Sequence, residues 1–196
     1  MARRFVGNVM VEWVEHEGKD RDMRLLEPFG FVDEAGLDWD VPGDTIVNGA
    51  SIPRVFWTSF GPPFVGDYRR SSVVHDRFCE TKERPWQDVH RMFHEGCLAG
   101  GVSPLKAKLM YLAVRNFGPR WATTRGIMTL PDGSSLAAGS AIELRPEMSE
   151  DDYQRLMKWI EKDDPSLDQI DERSEPAVRV LPVLPGFDPL AGPPGS

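Results

Sequence analysis

Residues 68–99 read YRRSSVVHDRFCETKERPWQDVHRMFHEGCLA, and this stretch predicts two helices separated by a short break. The first predicted helix, 68–80, keeps apolar residues on one side at helical spacing. The second, 85–99, begins at Pro85, a residue type that suits the first turn of a helix, and it stops at Gly100-Gly101. Because the break between them is short, the two helices are expected to pack as an antiparallel pair.

The flanking sequence predicts an α+β fold around this pair. Between residues 5 and 41, apolar and polar residues alternate in short runs divided by turns, which predicts a small N-terminal antiparallel sheet. Pro53 suits the first turn of a short helix before the pair, and Ser103-Pro104 begins a third long helix that runs to Phe117. The expected architecture is therefore a small antiparallel sheet packed with a three-helix region.

We expect three regions along the chain. Residues 1–125 form the α+β domain, and residues 126–173 form a C-terminal extension with a hairpin and an acidic helix. Residues 174–196 are rich in Pro and Gly, so most of this tail is expected to be unstructured or docked on the surface.

The extension contains two recognisable elements. A hairpin-like piece around Pro131-Asp132-Gly133 is predicted to join residues 127–130 to residues 141–144. Ser149 is predicted to cap the acidic helix that follows it, because acidic residues in a first turn suit the helix dipole.

Composition excludes some classes of function. The net charge is −8 and the isoelectric point is near 5.0, whereas nucleic-acid-binding proteins usually present a basic face, so nucleic acid is not an expected partner. The two cysteines form no CxxC pair, which excludes a zinc knuckle of that kind. No run of about 18 apolar residues is present, so no transmembrane segment is expected.

Polar residues that can act as ligands or catalysts concentrate on the two central helices. Three of the four histidines, His75, His90 and His94, fall on them, and Asp76 follows His75 directly. Antiparallel packing is expected to place His75 opposite Arg91 and Asp76 opposite the next histidine, His90. His94 shares the face of His90 one turn along. These side chains are therefore expected to converge on one cleft.

Two interpretations of this cluster stay open. In the first, His75 is a general base or a metal ligand. A neighbouring polar side chain then orients it, and the candidates are Asp76, Asp88 and His90. In the second, the His75–Asp76 pair makes an inter-helix hydrogen bond that fixes the fold and performs no chemistry. Replacing His75 by alanine separates the two interpretations, because the second predicts a loss of stability alone.

Two nucleophilic side chains near the cluster are expected to be inert. Cys79 lies one helical turn from His75, but a thiol inside a helix and beside Phe78 is usually buried and unreactive. Ser51 follows Gly49-Ala50, but the Gly-x-Ser-x-Gly pattern of a nucleophile elbow is absent. Neither thiol nor serine chemistry is the favoured mechanism.

Several motifs of the chain resemble a phage and bacterial family known as domain of unknown function 1353. The resemblance covers roughly residues 5–121. It rests on Arg24-Leu25-Leu26-Glu27-Pro28-Phe29, Val41-Pro42, Gly49-Ala50-Ser51-Ile52-Pro53-Arg54, Val74-His75-Asp76 and Asn116-Phe117-Gly118. It implies a phage or prophage context and no established activity. The family usually has Thr-Asp before its Gly-Ala-Ser, where this chain has Val47-Asn48, so a cation site that used this acid would be weakened here.

A second similarity concerns mechanism and is an analogy only. A glycine-bearing loop, a helix with His-Asp and an antiparallel helix with another polar partner look like the secreted phospholipases that cleave the sn-2 ester. In those enzymes the histidine is a general base for water and the aspartate helps to hold calcium. The glycine-rich calcium loop of those enzymes is absent here, and the candidate cofactor-binding residues are Asn48, Gly49 and Ser51 of the upstream turn.

The expected cofactor, where there is one, is a divalent cation, calcium or zinc. His90 and His94 are spaced by one helical turn, and together with Asp76 they are the candidate metal ligands. The favoured function is a hydrolase that uses the His75–Asp76 dyad on an ester of lipid or cell-envelope type. The alternative is a non-enzymatic, phage-derived structural or assembly protein. Phage or cell-envelope components are the expected partners, and the cytoplasm or a virion is the expected location.

Overall fold

The computed structural model describes residues 2–14, 22–48, 66–123, 128–129, 135–137, 139–174 and 177–181. Within them the chain is of the α+β class, as the sequence predicts. The helices are α1 (Arg69–Thr81), α2 (Trp86–Gly100), α3 (Pro104–Phe117), α4 (Glu150–Asp163) and α5 (Leu167–Arg173). The strands are β1 (Arg4–Val6), β2 (Val11–Trp13), β3 (Met23–Leu25), β4 (Phe29–Val32), β5 (Asp38–Val41), β6 (Ile46–Val47), β7 (Arg120–Thr123), β8 (Met128–Thr129), β9 (Ser135–Leu136), β10 (Ala141–Glu147) and β11 (Ala177–Leu181).

The N-terminal strands form two small antiparallel sheets, ordered β1-β4-β5 and β2-β3-β6. The alternating residues between Phe5 and Trp13 thus form two strands in different sheets. Gly7 divides them because its backbone has a φ of +78°, a left-handed conformation that favours glycine and ends an extended run. A Cβ at this position would also lie 3.0 Å from the carbonyl oxygen of Pro28.

The first core joins these sheets to α1 and α2. Apolar side chains of β3, β4 and β5 pack with those of α1, and the buried residues include Leu25, Phe31, Trp39, Val74 and Phe78. Burial of large side chains of this kind is the main favourable term in folding, at roughly 1.5–3 kcal/mol for each one. This core places the inner face of α1 against both a sheet and a helix.

The three-helix region is confirmed, with ends that follow the local sequence. α1 ends where Lys82 adopts a left-handed conformation and its amide donates to the Phe78 carbonyl. Gly101, with φ +101°, ends α2, and Pro104 occupies the first turn of α3. α1 and α2 lie so close together that a Cβ on Gly96 would sit 2.7 Å from the Cβ of Ser71. The short helix predicted at Pro53 lies outside the described residues.

The C-terminal half differs from the prediction in two places, the pairing of residues 141–144 and the structure of the tail. Residues 141–144 belong to β10, which pairs with β7 and β11, while β8 pairs with β9. Part of the tail is also ordered, because Ala177–Leu181 forms β11 on the edge of this sheet. Ser149 caps α4 as predicted, since its hydroxyl accepts a hydrogen bond from the amide of Asp152. The boundaries expected near residues 125 and 173 stay predictions.

A second core and an ionic contact hold α4 and α5 on the three-helix region. Tyr153, Leu156, Ile160 and Ile170 are buried in one cluster with side chains of α3. Asp171 of α5 is the centre of the ionic contact, where Arg91, Tyr111 and Arg115 all direct polar atoms at its carboxylate. Among the described residues, no helix is long and apolar enough to cross a membrane.

Candidate functional site

His75 of α1 and His90 of α2 meet ring to ring between the two helices. Nε2 of His75 lies 2.8 Å from Nδ1 of His90, so one ring donates a hydrogen bond to the other. The rings are stacked with their centroids 5.0 Å apart, and Phe93 covers the His75 ring at 4.9 Å. Both histidine side chains have 0% of their surface exposed. The pair therefore belongs to the interior of the domain.

Asp76 points to a different neighbour. Its Oδ2 accepts a hydrogen bond of 2.8 Å from the backbone amide of Asn48, at the end of the N-terminal sheets. The register expected from the sequence, with Asp76 opposite His90 and His75 opposite Arg91, is wrong by one position, because it is His75 that meets His90. Asp76 therefore connects α1 to Asn48, the residue before the Gly49-Ala50-Ser51-Ile52-Pro53-Arg54 motif.

Cys79, a thiol that the sequence predicts to be buried and inert, completes a buried cluster with His75 and His90. Its Sγ lies 3.6 Å from Nε2 and 3.7 Å from Nδ1 of His75, one helical turn away. The potential ligand atoms of His75, Cys79 and His90 all lie within 4.8 Å of one another. Burial raises the pKa of the Cys79 thiol well above its usual value, and the nearby charge of Asp76 raises it further. The spacing of one turn from His75 was the available signal.

Burial also controls the protonation of the two histidines. Burial lowers the pKa of His75 from 6.5 to about 3. The pKa of His90 is lowered well below its usual value, first by burial and then by His75 and the positive charges of Arg120 and Arg115. The backbone carbonyl of Pro119 acts in the opposite direction, although no acceptor meets full hydrogen-bond geometry at Nε2 of His90 within the described part of the chain. Both rings are therefore neutral at physiological pH.

The other candidate residues lie apart from this cluster. Asp88 is exposed in the first turn of α2. His94 is buried one turn beyond His90 and faces the edge of Tyr111 on α3, with the ring centroids 6.0 Å apart. The cluster of described ligand atoms includes neither His94 nor Asp76. Gly49 and Ser51, the candidates in the upstream turn, lie outside the described residues.

His94 differs from the other two histidines because neither of its ring nitrogens has a hydrogen-bond partner among the described residues. Burial lowers its pKa to about 4, and the positive charges of Arg3, Lys108 and Arg91 add to this effect. A buried polar ring without a partner destabilises the folded state. This residue is therefore a site where the chain loses stability.

His94→Leu is expected to leave the free energy of unfolding at pH 7.5 unchanged or to raise it, because an unpartnered polar ring is replaced by an apolar side chain. The folded-state pKa lies below the unfolded value, so the unfolded chain binds more protons as the pH falls from 6.5 to about 4. Over that pH range the free energy of unfolding of the wild type should fall by about 3 kcal/mol more than that of the variant. Urea denaturation at several pH values measures both effects. Parallel pH profiles of the two proteins would contradict this assignment.

Comparison with known proteins agrees with the resemblance noted in the sequence. Residues 23–114 match the model of the family described as Protein of unknown function (DUF1353), which confirms that resemblance. The matched segment contains the N-terminal sheets from β3 onward, α1, α2 and most of α3. It therefore includes His75, Cys79 and His90.

Two proteins of Sinorhizobium fredii (strain NBRC 101917 / NGR234) are similar to this chain. Uncharacterized protein y4jT is 53% identical over 97 residues, which are 50% of this chain and 29% of that protein. Uncharacterized protein y4iH is 39% identical over 121 residues, which are 61% of this chain and 48% of that protein. The chain thus spans less than half the length of either relative. No solved structure matches the chain.

Proposed function

We propose that the chain is a non-enzymatic structural or assembly component, of phage or prophage origin, in which the His75–Asp76 pair stabilises the fold. The observation that carries this proposal is the complete burial of His75 and its hydrogen bond to His90. A general base has to reach the proton that it removes, and its pKa should lie near the working pH. A buried ring with a pKa of about 3 fits neither requirement.

The surface that supports an assembly role is the outer strand β2. Val11 and Trp13 are cross-strand neighbours of the buried Leu25 and Met23, so they extend the core-facing side of this sheet. Trp13 nevertheless has 68% of its surface exposed. Within the described residues β2 pairs only with β3, so its other edge has no strand beside it there. Exposed apolar side chains on an outer strand are typical of a strand-pairing surface.

The partner that fits this surface is a second copy of the chain, paired through β2. Two copies of one outer strand can pair antiparallel around a two-fold axis, which is the commonest symmetry of homo-oligomers. The net charge of −8 opposes association, but the acid of this strand, Glu12, already forms an ion pair of 3.1 Å with Arg24 of β3. Glu12 lies on the opposite face of β2 from Val11 and Trp13, so the apolar face of this strand carries no charge of its own.

Trp13→Ser is expected to weaken self-association without changing the fold, because the indole contributes most of the exposed apolar surface of β2. Sedimentation velocity over a concentration series measures this, with a mass that rises with concentration in the wild type and less in the variant. Leu37→Ser is the matched control, since Leu37 is an exposed apolar residue outside β2. A wild type that stays monomeric up to its solubility limit would overturn the assembly role.

One observation favours a second function, the hydrolysis of an ester of lipid or cell-envelope type with the help of a divalent cation. The backbone amide of Asn48, one of the candidate cofactor-binding residues, donates a hydrogen bond to Asp76 of the His-Asp pair. Release of fatty acid from phospholipid vesicles tests it, with wild type and Asp76→Asn compared. Activity in the wild type that is lost in a folded variant would favour this function. A cytoplasmic or virion-associated location is part of either proposal.

A further inference from the structure

We propose that His75, Cys79 and His90 form a zinc site between α1 and α2. This inference goes beyond the proposed function. There the histidines stabilise the fold through a hydrogen bond, whereas here they bind a metal together with Cys79. His75 and Cys79 are one turn apart on α1, and His90 faces them from α2. Their three ligand atoms approach within 4.8 Å of one another in the interior of the domain.

Two distances within this cluster are close to those of a tetrahedral zinc site. Zinc lies about 2.3 Å from a cysteine sulfur and about 2.0–2.1 Å from a histidine nitrogen, so bound S and N atoms are about 3.5 Å apart, and bound N atoms about 3.3 Å. The distance from Cys79 Sγ to His75 Nε2 is 3.6 Å. The distance from His75 Nε2 to His90 Nδ1 is 2.8 Å, a hydrogen bond that has to open by about half an ångström to admit the ion.

The chemistry of the donors selects zinc over calcium. A thiolate and two imidazole nitrogens are soft or borderline ligands, which zinc and related transition metals prefer. Calcium binds six to eight oxygen ligands, and this cluster supplies none. The metal ligands predicted from the sequence were Asp76, His90 and His94, and only His90 belongs to the site proposed here.

Proton movement on zinc binding follows from the hydrogen bonds. The thiol of Cys79 loses its proton to solvent and binds as thiolate. The ring that donates in the His75–His90 hydrogen bond moves its proton to its other nitrogen, so both facing nitrogens become free to bind. For His90 the other nitrogen is Nε2, which is buried and has no acceptor at full hydrogen-bond geometry among the described residues.

The charge around the cluster also suits a cation. A zinc ion with one thiolate and two neutral imidazoles carries a net charge of +1, which is costly in the interior unless an opposite charge lies near. Asp76 is the next residue after His75, and its charge acts on Cys79. A carboxylate placed to oppose ionisation of the free thiol is equally placed to stabilise a bound cation. Asp76 is therefore a neighbour of the site and not a ligand, and its Oδ2 accepts a hydrogen bond from the amide of Asn48.

Cobalt substitution of the full chain tests the site, because a cobalt–thiolate bond gives a near-ultraviolet charge-transfer band. The expected result is one equivalent of Zn²⁺ per chain by elemental analysis, and this band in the Co²⁺-loaded protein. Cys79→Ser should lose the band and bind Zn²⁺ at least tenfold more weakly. Cys97→Ser is the matched control, since Cys97 is also buried but bonds to Ser71. This variant should keep the cobalt–thiolate band and the wild-type affinity for Zn²⁺.

Wild-type protein alone supplies the decisive check if Cys79→Ser does not fold. X-ray absorption of the zinc-loaded chain should show one sulfur at about 2.3 Å among nitrogen or oxygen ligands. A first coordination sphere without sulfur, a band that survives in Cys79→Ser, or less than one equivalent of zinc after metal-free purification and reloading would overturn the proposal. Self-association through β2 is a separate readout, so failure of the zinc site and failure of the assembly role are distinguishable.

Discussion

His75→Ala is expected to lower the free energy of unfolding by about 3–5 kcal/mol. The substitution removes a ring that is wholly buried between α1 and α2, which leaves a cavity lined by Phe93. It also removes the partner of His90 Nδ1, and an unsatisfied buried polar atom costs about 1–3 kcal/mol by itself. Urea denaturation at pH 7.5 in the presence of chelator measures the change without a contribution from metal.

His94→Ala is the control for this experiment. It removes the same side chain from a comparable depth, but His94 has no hydrogen-bond partner to lose among the described residues. The control should therefore cost at least about 1 kcal/mol less than His75→Ala. Equal losses in the two variants would show that the His75–His90 hydrogen bond adds nothing to stability, and a loss below about 1 kcal/mol in both would contradict the burial of these rings.

Asp171→Ala is expected to cost about 3 kcal/mol. Asp171 is the acceptor that holds α5 on the three-helix region, with Arg91 and Tyr111 each 2.5 Å from its oxygens and Arg115 at 3.0 Å. The side chain of Arg115 is only 5% exposed, and removing a carboxylate from a buried cation is strongly destabilising. Thermal and urea unfolding both measure this change.

Asp168→Ala is the matched control on the same helix. Asp168 also pairs with Arg91, but its side chain is 79% exposed, and exposed ion pairs contribute at most about 1 kcal/mol. The two substitutions remove the same chemical group within one turn of α5. A loss for Asp171→Ala no larger than that for Asp168→Ala would contradict the central place of Asp171 in this contact.

Local signals in the sequence account for the parts of the fold that were predicted. The ends of α2, α3 and α4 follow from residues that act within one turn, such as Gly101, Pro104 and Ser149. The same reasoning failed where pairing is long-range. Nothing near residues 141–144 shows that they pair with β7. The Pro- and Gly-rich composition of the tail also outweighed the two alternating valines of β11, which favour a strand.

The sequence predicted which helices carry the candidate site but not which of their side chains meet. The histidines were found because three of four fall on two adjacent helices. Which residues meet depends on the crossing and rotation of α1 and α2, and a shift of one position replaces Asp76 with His75 as the neighbour of His90. Cys79 was expected to be inert because a buried thiol usually is. It becomes a potential metal ligand only because His90 approaches it and His75 from the next helix.

The most direct test of the account is the hydrogen exchange of the ring proton shared by His75 and His90, measured by NMR on ¹⁵N-labelled, zinc-free protein. Burial in a structural pair predicts one ring N–H signal that exchanges slowly with solvent and a His75 ring that stays neutral well below pH 6.5, since its pKa is lowered to about 3. Rapid exchange together with titration near 6.5 would place His75 in contact with water, and would contradict the structural role in favour of a catalytic one.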